Sequence, residues 1–329
     1  MEARKTGIVE VAALAGVSIT TVSRVINKIP SVSEANRKKV EEAVRKLRFV
    51  PSPHAQALAS GKTNTVALII PRYEGIFYSF YALELIRGIG TLCDVLKLDL
   101  LLHLTTGRDI FNYKSAGGII FADIIGNRSQ LEWALSEHIP VVVINNFVED
   151  LEASCVAIDN SGGAKNAVQY LISLGHTRIA HIAGDTISQA AVFRLEGYKK
   201  ALAENGIKEN LEYIVKTDYS RGQARQATEK LLSLKEPPTA VFVASDSMAL
   251  EVMAVIMEKG KRIPDDISII GFDDNPSSLY GAVAMTTVRQ PLIRMAEAGV
   301  KELYSLIKGK KEIAKIMLPT ELIIRDSCK

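Results

Sequence analysis

The sequence predicts an all-α head of about fifty residues, followed by a larger α/β body that is divided into two halves. Two observations carry this prediction. Residues 1–62 contain eleven Lys and Arg against five acidic residues, whereas the whole 329-residue chain has a net charge of only +3. The apolar pattern also changes at about residue 65, from helical spacing to short β-rich runs. A basic head on an acidic body is typical of a polyanion-binding module joined to a second function, and a solvated basic face is the alternative.

Three short helices are predicted in the head. Apolar residues recur at helical spacing over Ile8–Ala15, and Gly16 then breaks the pattern. Ser18 is placed to cap a second helix that runs to about Asn27, and Ser33 is placed to cap a third.

The body alternates between predicted strands and amphipathic helices. The strands are Val66–Ile70, Leu98–Leu104, Gly118–Ala122, Val141–Asn145, Val156–Asp159, Ile179–Ala183, Ala240–Ala244, Ile267–Phe272 and Thr286–Arg289. Predicted helices between them include Gly163–Leu174, Phe193–Glu204, Gly222–Leu234 and Met248–Lys259. This alternation indicates parallel sheets that helices cover on both faces. About 265 residues is large for one such sheet, so we expect two α/β halves with a cleft between them.

The segment Val9–Asn27 has the features of a helix-turn-helix, and it reads VEVAALAGVSITTVSRVIN. Its small alanines let two helices cross closely, and Gly16 permits the positive backbone dihedral of a tight turn. In this motif the first turn of the second helix faces the major groove of DNA. An αα-hairpin used only for packing is the alternative, and the basic excess favours DNA.

Signatures of catalysis and of membrane insertion are missing from the sequence. It contains no P-loop, no G-x-G-x-x-G after a strand and no G-x-S-x-G elbow. His176 and His181 are spaced as turn and strand residues rather than metal ligands, and the neighbours Asp273 and Asp274 point apart on a turn. We therefore expect neither an enzyme nor a cofactor. No apolar run has the length of a membrane span, Met1–Glu10 lacks a secretory signal, and three scattered cysteines fit a reducing cytoplasm.

Several motifs along nearly the whole chain resemble the lactose-repressor (LacI/GalR) family of bacterial transcription regulators. They are AALAGVSITTVSRVIN, the stretch Val32–Val44, FVP at 49–51, PHAQAL at 53–58, SLGH at 173–176, IAHIAG at 179–184, RLEGY at 194–198, SDSMAL at 245–250 and GFDD at 271–274. The resemblance implies a helix-turn-helix head and a periplasmic-binding-protein-like body of two doubly wound parallel-sheet subdomains. We expect a DNA-binding domain over 1–50, a hinge helix and linker over 51–62, and an effector-binding and dimerisation domain over 63–329. Its N-subdomain covers about 63–159 plus 290–318, and its C-subdomain covers about 160–289 plus 319–329.

The resemblance also implies a function. We expect a cytoplasmic, dimeric, sequence-specific DNA-binding regulator, a repressor, that binds a pseudo-palindromic operator under the control of a small sugar or sugar derivative. The strand-like segment Leu318–Lys329 has no leucine heptads, which favours a dimer over a tetramer. A sugar-binding sensor or transport protein without specific DNA binding is the alternative, and an enzyme on the same scaffold is a third class.

Carried over by matching motifs, the predicted DNA-binding residues lie in the second helix and in the hinge. Ile19 and Thr20, with Arg24 one turn further on, match side chains that read base edges, and Arg is the natural bidentate partner of guanine. Leu58 matches a leucine that inserts into the central minor-groove step, with linker packing as the alternative. The full set is Ser18, Ile19, Thr20, Thr21, Ser23, Arg24, Asn27, His54, Ala55 and Leu58.

The predicted effector site lies beyond the carboxyl ends of the body's strands, where ligands bind open α/β sheets. Arg194 and Asp273 match a clamp for sugar hydroxyls or a nucleobase, because a guanidinium fork and a carboxylate suit vicinal hydroxyls. Two neighbouring carboxylates have structural alternatives: Asp246 as a cap for the following helix and Asp274 as an anchor for a loop. The full set of predicted effector-binding residues is Phe77, Asn145, Arg194, Tyr219, Ser245 and Asp273.

The chain departs from the family pattern in two places. After Pro71 the run RYEGIFYSFYALELIRGI is about one helical turn longer than usual. After Leu104 the run TTGRDIFNYKSAGG is too short for the helix that normally separates two strands. Both changes, near residues 72–90 and 105–117, border the cleft and the dimer face, and a missing helix would expose a sheet face unless the partner subunit covers it.

Overall fold

A computed structural model describes residues 7–27, 29–49, 63–73, 76–108 and 116–329. The chain divides into two compact units, Met1–Asn64 and Thr65–Lys329.

The first unit contains the predicted helix-turn-helix. Its helices are α1 (Ile8–Ala15), α2 (Ile19–Ile26) and α3 (Glu34–Leu47), and α1 and α2 are bent by 104° relative to each other. Gly16 between them has φ 63°, in the left-handed region that the turn requires. The angle lies within the range of a helix-turn-helix, and this prediction is confirmed.

Local hydrogen bonds fix the starts of these helices where the sequence predicts them. The Ser18 hydroxyl oxygen accepts a bond from the Thr21 amide at 3.1 Å, and Ser33 does the same for Asn36 at 3.5 Å. The apolar faces of the three helices then pack on one another. Seven small or β-branched side chains form this core: Val11, Ala12, Ala15, Val22, Val25, Val40 and Ala43.

The second unit has two six-stranded sheets. The first has the order β11-β5-β4-β3-β1-β2, and all of its pairs are parallel. Its strands are β1 (Thr65–Pro71), β2 (Asp99–Thr105), β3 (Gly118–Ala122), β4 (Val141–Ile144), β5 (Ser154–Ile158) and β11 (Lys315–Leu318). The helices packed on it are α4 (Phe80–Leu96), α5 (Arg128–Ser136) and α10 (Leu292–Ile307).

The second sheet has the order β12-β10-β9-β8-β6-β7. Its strands are β6 (Ile179–Ala183), β7 (Ile214–Lys216), β8 (Ala240–Val243), β9 (Ser268–Asp273), β10 (Thr286–Arg289) and β12 (Glu321–Ile323). The helices packed on it are α6 (Asn160–Ser173), α7 (Gln189–Glu204), α8 (Arg221–Leu232) and α9 (Asp246–Glu258). The chain passes between the sheets after β5, after β10 and after β11, so the two halves are joined side by side.

Alternating side chains of the strands fill separate cores on the two faces of each sheet. In β1, Leu68 and Ile70 pack with α4 and α10, whereas Ala67 and Ile69 point to the face that α5 covers. The α4–α10 core is continuous with the core beneath α6 and α7 of the second half. Burial of these nearly continuous apolar runs is what makes parallel strands stable, and it leaves polar residues at the strand ends.

The structure differs from the sequence prediction in the short strands and in several helix starts, among which that of α7 differs most. The sequence does not single out β7 or β11, and β12 runs antiparallel to β10, which the prediction of parallel sheets did not include. Helix α7 begins at Gln189 rather than near Phe193, so Arg194 lies in its second turn and not at its start.

Most of the segment after β2, in which the sequence predicts the loss of a helix, lies outside the described residues, so the loss stays a prediction. No helix is present in residues 106–108 or 116–117, the described residues between β2 and β3. The outer strand β2 exposes Leu101 and Leu102, while the neighbouring strand β1 stays buried. Exposure of the sheet is therefore confined to its edge.

Candidate functional site

Helix α2 presents most of the predicted base-reading side chains to solvent. Ile19 is 47% exposed, and Thr20 and Arg24 are exposed as well. The hydroxyls of Ser18 and Thr21 lie 2.9 Å apart and hydrogen-bond each other, which fixes the first turn of the helix. An apolar side chain and a guanidinium that has no partner among the described residues lie on the surface of a basic head, an arrangement suited to a DNA groove.

The other predicted DNA-binding residues are less free or lie outside the described residues. Ser23 and Asn27 are half-buried, and the Asn27 amide donates a long hydrogen bond of 3.4 Å to the Ser23 hydroxyl. His54, Ala55 and Leu58 fall outside the described residues. The assignment of these side chains to DNA stays a prediction.

Left-handed backbone conformations mark the strand ends that border the cleft between the two halves of the body. Residues other than glycine rarely have φ between about +50° and +70°, and such strain clusters at functional sites. Here it occurs directly after β3 and β4, three residues after β7, and at and directly after the end of β9. The residues are Asp123, Asn145, Tyr219, Asp273 and Asp274, with φ of 66°, 68°, 67°, 140° and 56°. Three of them were predicted as effector ligands, and Asp123 was not.

Arg194 is the best-fixed of the predicted effector ligands. It is only 4% exposed, and its Nε donates to the Asn160 side-chain oxygen at 2.9 Å. Its Nη1 donates to the Ala244 carbonyl at 2.6 Å, and the guanidinium lies 3.8 Å from the centre of the Phe272 ring. Nη2 has no hydrogen-bond partner among the described residues, so a fixed cation keeps one donor for a ligand.

Asp273 faces Arg194 from the end of β9. Its carboxylate accepts a 2.5 Å hydrogen bond from the Gln290 amide and a longer one from the Asp246 backbone. Burial raises the pKa of Asp273 above its ordinary value, and the Arg194 charge opposes that rise. The carboxylate is held in place by neighbours that do not neutralise it.

Ser245, a predicted effector ligand, takes the capping role that was the alternative for Asp246. Ser245 is the cap of α9, because its hydroxyl oxygen accepts from the Met248 amide. Asp246 is buried in the first turn, where it accepts from the Thr287 hydroxyl at 2.6 Å and from the Asn275 backbone at 2.8 Å. The cap alternative for Asp246 is therefore wrong, and the Ser245 hydroxyl is already occupied by the helix.

The structure agrees with the alternative in which Asp274 anchors a loop. Its carboxylate pairs with Arg289 at 2.7 Å and with Arg325 at 2.5 Å. These ion pairs tie the end of β9 to β10 and to the C-terminal segment.

Asn145 lies at the end of β4 and pairs with a residue that the sequence analysis missed. The Asn145 amide nitrogen donates to the Asp123 carboxylate at 2.7 Å, and the amide oxygen is buried without a hydrogen-bond partner in the described part of the chain. Burial raises the pKa of Asp123 to about 6, and the bonds from Asn145 limit the rise. Asp123 follows the predicted strand Gly118–Ala122, so the rule that pointed to Asn145 would also have found it.

The predicted aromatic ligands occupy two different environments. Tyr219 packs against Gly184, where an added Cβ would lie 2.0 Å from the Tyr219 ring, so the close approach requires glycine. Phe77 belongs to a short 3-10 helix over Ile76–Tyr78 and is 60% exposed. The structure brings Tyr219 to the charged groups of the cleft and leaves Phe77 on the surface.

A cavity of about 180 Å³ lies between the halves, next to Asn145 and Asn160. One wall is the contact between Gln189 at the start of α7 and the backbone of Phe147 after β4. The Gln189 side chain accepts from the Phe147 amide at 2.8 Å and donates to its carbonyl at 3.0 Å. This two-point contact fixes the arrangement of the two halves on this side of the cleft.

The described residues contain no group of three or more His, Cys, Asp or Glu side chains able to hold a metal ion. None of their helices is by itself both long and apolar enough to cross a membrane, although the bent pair of α1 and α2 together has that length and composition.

Comparison with known proteins decides the family. Residues 7–52 match the family model of bacterial regulatory proteins of the lacI family, and residues 168–328 match that of periplasmic binding protein-like domains. The chain is 36% identical over 330 residues to a probable HTH-type transcriptional repressor, ExuR, of Bacillus subtilis, covering 98% of both chains. The chain belongs to the LacI family of bacterial regulatory proteins. Like the family as a whole, it is a DNA-binding transcription regulator and not an enzyme.

Other LacI-family relatives are similar over the same length. Catabolite control protein A of Priestia megaterium is 35% identical, with 98% of this chain and 99% of that protein covered. A crystal structure of the lac repressor dimer bound to operator and the anti-inducer ONPF superimposes with a TM-score of 0.87 at 27% identity, covering 98% of this chain and 99% of the repressor. A complex of the regulator CelR with cellobiose superimposes with a TM-score of 0.77 at 30% identity and the same coverage. The predicted family and fold class are confirmed.

Proposed function

We propose that this LacI-family regulator is a cytoplasmic repressor that binds a pseudo-palindromic operator as a dimer. A sugar-like effector that binds in the body either lowers or raises its affinity for the operator. We divide the chain into a DNA-binding domain (1–50), a hinge and linker (51–62) and an effector-binding and dimerisation domain (63–329). The assignment is supported by the relatives of the chain, which include a probable repressor and a lac repressor dimer bound to its operator.

The observation that carries the DNA-binding part is the free surface of α2. The helix buries Val22 and Val25 in the head, so its opposite side is presented outward with Ile19 and Arg24 exposed. A guanidinium with no partner among the described residues suits the O6 and N7 atoms of guanine, and an isoleucine suits a thymine methyl group.

The effector part is supported by the cleft of the body. Arg194 and Asp273 offer a donor and an acceptor from the second half, and Asn145 offers polar atoms from the first. The regulator CelR, which has the same architecture, was crystallised with cellobiose. We therefore assign the cleft to a sugar or sugar derivative.

The dimer is supported by an exposed apolar surface on the first half. Helix α4 exposes Leu83 and Val95, and the adjacent edge strand β2 exposes Leu101 and Leu102. An edge strand with exposed leucines is a site for pairing with another chain, and natural proteins cover such edges. We assign this surface to the second copy of the chain, which also places two heads on one operator.

Selection from random duplexes with the full chain tests the proposal. We expect enrichment of one sequence with approximate two-fold symmetry, bound at physiological salt at least a thousandfold more tightly than unselected DNA. If the purified protein enriches no sequence over bulk genomic fragments, the proposed function is wrong.

Two matched variants then test the role of α2. Arg24→Ala removes a charge from the exposed face of α2, and Arg45→Ala removes the same charge from an exposed position of α3. We expect Arg24→Ala to weaken the selected site by about 1–3 kcal/mol and to relax the preference at one base pair. Arg45→Ala should change selected and random DNA by similar factors. Equal losses on both DNAs for Arg24→Ala would make it a phosphate contact only.

A further inference from the structure

Each half of the body places one carboxyl group at the cleft. Asp123 follows β3 in the first half, and Asp273 ends β9 in the second. The charge of Arg194 acts on both carboxyls, and both in turn act on the Tyr219 hydroxyl. A carboxyl group from each half and the fixed guanidinium of Arg194 therefore influence one another at the cleft.

Several hydrogen bonds fix the turn at Asp123, which distinguishes it from an ordinary acidic residue on a surface. The Asp123 amide donates to the Ile144 carbonyl at 3.1 Å, and the next amide, of Ile124, donates to the Asn146 side chain at 3.0 Å. The buried Asn127 side chain donates to the Asp123 carbonyl at 3.3 Å. These bonds hold a left-handed backbone that would otherwise be disfavoured, and they fix where the carboxyl points.

Each of the two carboxyls has beside it a buried amide whose oxygen has no hydrogen-bond partner among the described residues. Asn145 is 7% exposed, and its amide nitrogen is used by Asp123 while its oxygen has no hydrogen-bond partner among the described residues. Gln290, also 7% exposed, is in the same state: its nitrogen donates to Asp273 and its oxygen is unpaired. Buried polar atoms are nearly always satisfied in proteins, so unpaired ones at a cleft indicate a missing ligand.

The two unpaired amide oxygens, of Asn145 and Gln290, are both acceptors. The buried Tyr81 hydroxyl, which neighbours Asp123 and Asn145, can donate or accept. A ligand that satisfies them must bring donors. A carboxylate or phosphate at this end would bring more acceptors and a repelling charge.

We propose that Asp123 and Asn145 form a donor-binding subsite, which selects an effector that presents hydroxyl or ammonium groups at this end and rejects one that presents a carboxylate or phosphate there. The inference rests on the proposed function, and it makes Asp123 a specificity-determining residue. The effector class is then a neutral sugar or an amino sugar rather than a sugar acid.

Titration of the full chain with matched sugars tests the subsite. The probes are a neutral hexose, its 2-amino derivative and its 6-carboxylate, in the gluco, galacto and manno series and as their β-linked disaccharides. We expect a neutral or amino member of one series to bind, and its carboxylate counterpart to bind at least a hundredfold more weakly. The neutral and amino arms distinguish hydroxyl from ammonium recognition. Equal affinity for the carboxylate, or no binding by any neutral or amino probe, overturns the proposal.

Substitutions of Asp123 separate its charge from its shape. Asp123→Asn keeps the size and tolerates the left-handed backbone, and Asp123→Gly removes the side chain without strain at φ 66°. We expect both variants to bind the sugar at least tenfold more weakly than the wild type does. In Asp123→Asn, the ratio of the affinity for that sugar to the affinity for its carboxylate counterpart should also be smaller than in the wild type. Asp265→Asn, at an exposed carboxylate paired with Lys329, is the matched control and should bind like the wild type.

The readouts distinguish this inference from the proposed function. Operator binding by the same variants is measured separately without sugar, so that a loss of DNA binding is distinguished from a loss of sugar affinity. Unchanged sugar affinity in Asp123→Asn and Asp123→Gly overturns the subsite even where the operator is bound normally. A chain that discriminates the sugars but selects no DNA sequence overturns the proposed function and leaves the subsite standing.

Discussion

Replacement of Arg194 by lysine separates the two tasks that the structure gives this side chain. Two of its nitrogens donate inside the protein, to Asn160 and to the Ala244 carbonyl, and a third is left for a ligand. Lysine keeps the charge but has a single ammonium on a flexible stem, so it cannot reproduce the planar fork. The variant therefore loses stability and effector affinity for separate reasons.

The size of the stability loss follows from the contacts. Hydrogen bonds to charged groups contribute about 1.5–3 kcal/mol each, and stacking of the guanidinium on Phe272 adds about 1 kcal/mol. If the ammonium keeps one of the two bonds, Arg194→Lys lowers the free energy of unfolding by about 2–4 kcal/mol. Arg194→Ala leaves both acceptors unpaired and lowers it by about 4–6 kcal/mol. For a body of this size, losses in the range of these two variants lower Tm by about 5–15 °C.

Urea unfolding, sugar titration and operator binding together provide the assay. We expect Arg194→Lys to shift the unfolding midpoint without a change in slope, to weaken the effector about a hundredfold, and to bind operator within threefold of wild type below the transition. An unfolding midpoint equal to that of the wild type would refute the energetic role of the buried contacts. Normal effector affinity at reduced stability would make Arg194 a structural residue only.

Three further predictions concern the head, the contact between the halves and the cleft. Gly16→Ala places a Cβ at φ 63° and should destabilise the head by about 1 kcal/mol, seen as weaker specific DNA binding at elevated temperature; unchanged binding there would contradict the strained turn. Gln189→Ala removes both hydrogen bonds to Phe147 and should speed hydrogen exchange at residues 146–149 severalfold; equal exchange would show that the contact does not hold the halves. Asp123 in the folded chain has its pKa raised to about 6, so it takes up a proton on folding between about pH 4 and 6, and its contribution to stability falls as pH rises through that window. Asp123→Asn should accordingly gain about 1–2 kcal/mol over wild type between pH 5 and pH 8 in urea titrations, and a difference that is flat with pH would contradict the raised pKa.

Features that depend on near neighbours in sequence were predictable. Ser18 and Ser33 cap helices through bonds to residues three positions on, and Gly16 provides a turn that needs only its own backbone freedom. The long buried strands stand out because their apolar runs are continuous. In each case the information that determines the structure lies within a few residues of the feature.

Features that depend on distant partners were not predictable from the sequence. Strands β7 and β11 have three or four residues each, and pairing with strands far along the chain is what defines them. The hydrogen bond between Asp123 and Asn145 likewise joins residues 22 positions apart on adjacent strand ends, although the place of Asp123 after a predicted strand could have marked it as a candidate. The roles of Ser245 and Asp246 depended on a single-residue choice of helix start, which sequence patterns do not determine.

The cleft brings together strained backbone and unpaired buried polar atoms. Strained backbones at Asp123, Asn145 and Asp273 and unpaired amide oxygens lie together there, while the strands that lead to them are buried and regular. Such strain persists only when the surrounding core compensates for it, and a ligand that supplies donors would remove part of the cost. Because the unpaired acceptors come from both halves of the body, a ligand can form hydrogen bonds to all of them only in an arrangement where both halves contact it. An effector can shift the equilibrium between two arrangements of the body by no more than the difference between its binding free energies for them. The Gln189 contact stabilises whichever arrangement contains it. Release of that contact should therefore change the effector concentration needed for a response, even though Gln189 forms no part of the donor-binding subsite.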